Sequence, residues 1–147
     1  MRRIFVDTSA LVALEHTDDQ HHQDAVKLAP KIKEERLDII ISDHVLAEAV
    51  TMTRRRAGSN YAFRLGNELF NSKITTLIIA DEKILNNAWD IFQKYSDKDF
   101  SFVDCISFAI MKQEGVDTAF TFDHHFEQMG FKILRKGRNV LRQQLSM

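Results

Sequence analysis

A single cysteine, Cys105, rules out an intramolecular disulfide, and its scarcity suits a reducing cytosol. One proline and five glycines leave little material for long disordered linkers. No apolar run approaches the roughly 20 residues that a membrane-spanning helix needs. The arginines at positions 2 and 3 precede no apolar stretch long enough for a signal peptide. Charge of one sign is not in excess: the formal net charge is −1, so no global polarity announces a nucleic-acid partner. That balance still accommodates a local basic patch beside an acidic pocket. Repeats and low-complexity segments are absent. What is present is ordinary globular material, 44% apolar and 28% charged, which in 147 residues argues for one cytoplasmic domain spanning residues 1–147.

The pattern along the chain predicts an α/β fold. Ile4-Phe5-Val6 reads as a short buried strand with Asp7 at its carboxyl end, and Ser9 reads as the N-cap of a helix over 10–15. Asp19 would cap a second helix with Ala25, Leu28, Ala29 and Ile32 on one face, kinked or restarted at Pro30. Asp38-Ile39-Ile40-Ile41 is a second strand. Ser42 caps the helix that carries Glu48 and ends in Arg54-Arg55-Arg56 before Gly58. A helix over 60–71, a strand over 74–79 and a helix capped by Asp81 follow. Ser101 then opens a helix with Asp104 in its first turn, and Gly115 closes it. Residues 118–122 form the fourth strand, with Asp123 at its carboxyl end, and 131–134 form the last. Strands separated by helices imply a parallel sheet with right-handed crossovers.

In such a sheet the carboxyl ends of strands and the amino ends of the following helices share one edge, where ligands bind. Asp7, Glu48, Asp104 and Asp123 all fall there. Clustered carboxylates repel one another unless a cation compensates them. Oxygen-only ligands suit a hard divalent ion such as magnesium or manganese, and phosphodiester hydrolysis is the chemistry that most naturally uses one. Taken singly, each acid also fits a capping or helix-dipole role.

The same residues resemble the motifs of the PIN-domain family of metal-dependent nucleases. The first motif is Ile4-Phe5-Val6-Asp7-Thr8-Ser9. The second ends in Ala47-Glu48. The third is Ser101-Phe102-Val103-Asp104-Cys105-Ile106-Ser107-Phe108-Ala109, and the fourth is Ala119-Phe120-Thr121-Phe122-Asp123-His124-His125-Phe126. The order and separations match over nearly the whole chain, and the size resembles the stand-alone bacterial or archaeal type, many of which are toxins of toxin–antitoxin pairs. The resemblance implies a three-layer fold with a central parallel sheet of about five strands flanked by helices. It also implies a homodimer, an endoribonuclease activity needing Mg2+ or Mn2+, and an antitoxin that blocks the site. Asp7, Glu48, Asp104 and Asp123 would be the catalytic and metal-binding acids. Ser9 and Thr121 would support them, and the products would carry 5′-phosphate and 3′-hydroxyl ends. Asp99, five residues before Asp104, is a further candidate acid or a solvated loop residue.

A pocket of acids cannot grip a polyanion, so RNA would need basic residues nearby. Arg54, Arg55, Arg56 and Arg64 form one cluster, and Lys132, Arg135, Lys136, Arg138 and Arg142 form another. Both also read as solvated or helix-terminal charge. Phe63, Leu65, Leu69 and Phe70 give the 60–71 helix more apolar character than one buried face requires, which hints at a dimer or partner surface. His16, His21 and His22 match no zinc spacing. The competing function is a non-catalytic RNA-binding or interaction module on the same fold, disfavoured because all four motif acids are present. An aspartyl phosphotransfer site of the haloacid-dehalogenase kind would want a second acid where Ser9 stands. The acids alone do not separate RNA from DNA.

Overall fold

The computed structural model describes residues 2–135. Its core is a five-stranded, wholly parallel sheet in the order β3-β2-β1-β4-β5, built from β1 (Arg3–Val6), β2 (Asp38–Ser42), β3 (Thr75–Ile78), β4 (Thr118–Phe120) and β5 (Lys132–Ile133). β1 is central because it can be buried on both faces: Ile4, Phe5 and Val6 are all inaccessible to solvent or nearly so. Its partners are aligned by Phe5 opposite both Ile40 and Ala119.

The connections are helical: α1 (Thr8–Glu15), α2 (His22–Glu34), α3 (Asp43–Ala57), α4 (Ser59–Asn71), α5 (Glu82–Lys94), α6 (Phe102–Glu114) and the single turn α7 (His125–Gln128). The first four pack together, and α5, α6 and α7 form a second group. The chain winds outward from β1 through β2 to β3, then returns to the other side of β1 as β4. Right-handed crossovers therefore put the two helix groups on opposite faces. The direction of winding reverses between β1 and β4, and a crevice opens at the carboxyl ends of strands at such a point. α6 is the most deeply sunk helix, with every residue from Asp104 to Met111 buried. Among the described residues, no helix is long and apolar enough to cross a membrane.

Most local signals act as read. Ser42 accepts from the Val45 amide at 2.9 Å, Asp81 accepts from the Ile84 amide at 2.9 Å, and Gly115 closes α6 with φ of 67°. Several differ. The N-cap of α1 is Asp7 rather than Ser9, because the Asp7 carbonyl accepts the first helical bonds, from the Ala10 and Leu11 amides. Asp19 bonds the His21 amide in the turn before α2, which begins at His22. α2 runs through Pro30 without restarting. Pro30 and Val26 are both exposed there, so the carbonyl deprived of its donor faces water. β4 ends at Phe120, because Thr121 turns its hydroxyl to the site. α7 is too short to show a period, and only Phe126, wholly buried, marks it.

Candidate active site at the carboxyl edge of the sheet

Asp7, immediately after β1, is buried, yet its side chain makes no cap bond. Two hydroxyls instead converge on one of its oxygens. Ser9 Oγ donates to Oδ2 at 3.0 Å and Thr121 Oγ1 donates to the same atom at 2.9 Å. Each hydroxyl is itself fixed as an acceptor: Ser9 by the Phe122 amide at 2.9 Å, Thr121 by the Asp123 amide at 3.0 Å. One network thus ties the end of β1 to the end of β4. Burial pushes the Asp7 carboxyl up to about 6. The two hydroxyls oppose the shift, and the charge of Asp104 adds to it.

Asp104 is the third residue of α6 and closes a capping box with Ser101. The Asp104 amide donates to Ser101 Oγ at 3.0 Å, and the Ser101 amide donates to Asp104 Oδ2 at 3.0 Å. His125 Nδ1 lies 2.9 Å from the same Oδ2. Burial raises this carboxyl too; the Ser101 amide opposes the shift and neighbouring Asp123 reinforces it. Asp123 lies beyond Thr121. Its Oδ1 accepts from the His125 amide at 3.0 Å and stands 3.1 Å from His125 Nδ1.

Asp7, Asp104 and Asp123 are therefore electrostatic neighbours around the switch point. In each, the donors grip one oxygen and leave the second without a side-chain donor among the described residues. Burial without a lysine or arginine paired to them among the described residues, and one oxygen on each left without a side-chain donor, form a donor set that fits a hard divalent cation. Glu48 sits half-buried on the second turn of α3, which packs on α1, and has no hydrogen-bond or salt-bridge partner among the described residues. Asp99 is exposed in the loop before α6. Asp123, His124 and His125 bring ligand atoms to within 4.8 Å of one another. Beside Asp123 a cleft of about 380 Å³ opens between Leu28, Phe122, His124 and Arg135.

The basic residues divide. Arg54, Arg55 and Arg56 are exposed at the far end of α3, roughly 10 Å along the axis from Glu48 at 1.5 Å per residue. Arg56 reaches Asp19 at 4.0 Å, and Arg64 pairs with Glu15 at 3.3 Å while lying over Tyr61. Lys132 pairs with Asp117 at 3.5 Å, and Arg135 pairs with Glu127. Lys136, Arg138 and Arg142 lie outside the described residues. The signal for the Ser101–Asp104 box was present as Ser-x-x-Asp. The part played by His125 had no local signature, since it depends on α7 packing beside α6.

The PIN domain profile matches residues 4–132. The 23S rRNA-specific endonuclease VapC20 of Mycobacterium tuberculosis is 30% identical over 135 residues, covering 90% of this chain and 98% of the relative. The crystal structure of that VapC20, described as a sarcin–ricin loop cleaving toxin, aligns with a TM-score of 0.77 at 29% identity, covering 87% of this chain and 95% of that one. FitAcB from Neisseria gonorrhoeae shares the fold, with a TM-score of 0.64 at 20% identity over 90% of this chain and 96% of that one. The chain belongs to the PIN-domain family.

Proposed function

We propose that this protein is a metal-dependent endoribonuclease and the toxin of a toxin–antitoxin pair, acting on structured ribosomal RNA of the kind its relative cleaves. The observation that supports this most is the convergence of Asp7, Asp104 and Asp123 at the switch point, each with one oxygen clamped and the other without a side-chain donor among the described residues. These three acids, with Glu48 from the facing side, would hold Mg2+ or Mn2+. Bound there, the ion supplies Lewis acidity, making water a better nucleophile and drawing charge from a phosphoryl oxygen.

The chain's own residues set the conditions for that chemistry. Ser9 and Thr121 keep the Asp7 carboxylate aimed and, by donating to it, favour its ionised form. The Ser101 amide does the same for Asp104. The cleft beside Asp123 offers room for the strand flanking the scissile phosphate. Arg54, Arg55, Arg56 and Arg64 would meet phosphates farther along, where the acids no longer repel the backbone. Cytoplasmic action on ribosomes, homodimerisation and restraint by an antitoxin complete the reading.

The test is cleavage of a 23S rRNA fragment containing the sarcin–ricin loop by partner-free wild type and Asp7→Asn, with Mn2+, Mg2+ or chelator. Internal cuts by the wild type, lost on chelation and reduced at least about 100-fold in the variant, are expected; removal of one electrostatic contributor typically costs that much. Metal-independent RNA binding without cutting would put the binding-module reading in its place.

A further inference from the structure

His125 touches the carboxylates of two of the motif acids. Its amide and its ring both contact Asp123, and its ring also contacts Asp104. Both ring contacts use one atom, Nδ1, at 2.9 Å from Asp104 Oδ2 and 3.1 Å from Asp123 Oδ1. A single nitrogen thus spans two carboxylates carried by different elements, the first turn of α6 and the loop after β4. The ring has little freedom to leave. Its side chain is 15% exposed, and its plane stands nearly edge-on to Phe100, with centroids 5.5 Å apart. The following residue, Phe126, is wholly buried against Phe108 and anchors α7.

From this geometry we infer that His125 is a positioning residue that holds Asp104 and Asp123 at metal-binding separation, with Nδ1–H donating to Asp104 Oδ2 while the same nitrogen stands against Asp123 Oδ1, which the His125 amide also holds. The inference rests on the metal-site reading above and deepens it. Two like-charged carboxylates packed this closely repel, and Asp123 already disfavours ionisation of Asp104. A donor between them offsets the repulsion and fixes which oxygens face away. On Asp104, Ser101 and His125 both occupy Oδ2, leaving Oδ1 for the ligand; on Asp123, both His125 contacts occupy Oδ1, leaving Oδ2. Such outer contacts to metal-binding groups typically govern affinity by roughly 10–100-fold. The charges facing the ring from the elements packed on it are Asp104, Asp123 and His124, and among the described residues no lysine or arginine contacts it.

The choice of atom makes the idea testable. An asparagine amide can place its nitrogen where Nδ1 stands, whereas a glutamine amide reaches toward the Nε2 position. Mn2+ affinity is measured by the free-ion signal in electron paramagnetic resonance on wild type, His125→Asn, His125→Gln and His125→Leu, with folding checked by circular dichroism. Affinity within about threefold of wild type in His125→Asn is expected, with losses of roughly 10–100-fold in His125→Gln and His125→Leu. Equal affinity in all four, equal loss in all three variants, or a gain on removing the ring overturns the inference. Absence of Mn2+ binding by the wild type overturns the metal-site reading itself, so the two failures are distinguishable.

Discussion

At the residue scale, Asp7 carries the clearest thermodynamic signature. Its folded carboxyl sits near 6 instead of the usual 3.8, and burial is the main cause. The unfolded chain releases this proton first as pH rises, so between these values the folded state binds more protons and stability falls with rising pH. Above about pH 6 the loss is complete, at about 3 kcal/mol from 1.36 kcal/mol per pKa unit. In the absence of divalent ions, Asp7→Asn is therefore expected to unfold at a higher temperature than wild type at pH 7.5, with the difference shrinking toward pH 4. Calorimetric scans of both proteins across that range check it. Adding Mn2+ at pH 7.5 should raise the wild-type Tm by more than it raises the variant's. Cys105 makes the opposite kind of prediction. Burial, then the Asp104 charge, pushes its thiol up to about 11, so a disulfide reagent should label it only on denaturation.

At the element scale, α6 and α7 are the parts on which the acid cluster depends. The Ser101 cap both starts α6 and holds Asp104, so Ser101→Ala should cost about 1 kcal/mol of stability in denaturant titrations. Mn2+ affinity should stay within about threefold of wild type, because the bond to Asp104 Oδ2 comes from the Ser101 backbone amide, which alanine keeps. Phe126→Ala should cost about 3–5 kcal/mol, because it empties a wholly buried site between Phe5 and Phe108. These elements also show where the sequence was readable and where it was not. Strands of consecutive apolar residues and caps at Ser42, Asp81 and Ser101 are local signals, and they settled the order of elements and the edge on which Asp7, Asp104 and Asp123 meet. Ser9 misled because a serine before an apolar run satisfies the N-cap pattern, while tertiary contact with Thr121 and Phe122 claimed its hydroxyl. α7 and the reach of His125 across to Asp104 are products of packing between segments 21 residues apart and leave no periodic trace.

For the whole molecule, the parallel order β3-β2-β1-β4-β5 does most to explain why this edge is the site. The winding reverses between β1 and β4, and the two strands deliver Asp7 and Thr121 to one hydrogen bond. The apolar excess of α4 is also settled at this scale. Leu65 and Leu69 face the core, whereas Phe63 and Phe70 remain 55% and 70% exposed. We propose this face as the homodimer surface, and Phe63→Glu with Phe70→Glu should lower the mass seen by sedimentation equilibrium from dimer to monomer without loss of helix signal. An unchanged mass would place the dimer contact elsewhere.

The central claim is that the acids around this crevice make one metal site. Calorimetric titration of Mn2+ into partner-free wild type and into Asp7→Asn and Asp104→Asn tests it most directly. The account predicts saturable binding by the wild type and a loss of at least about tenfold, or 1.4 kcal/mol, in each variant. Wild-type binding that neither substitution weakens would contradict it.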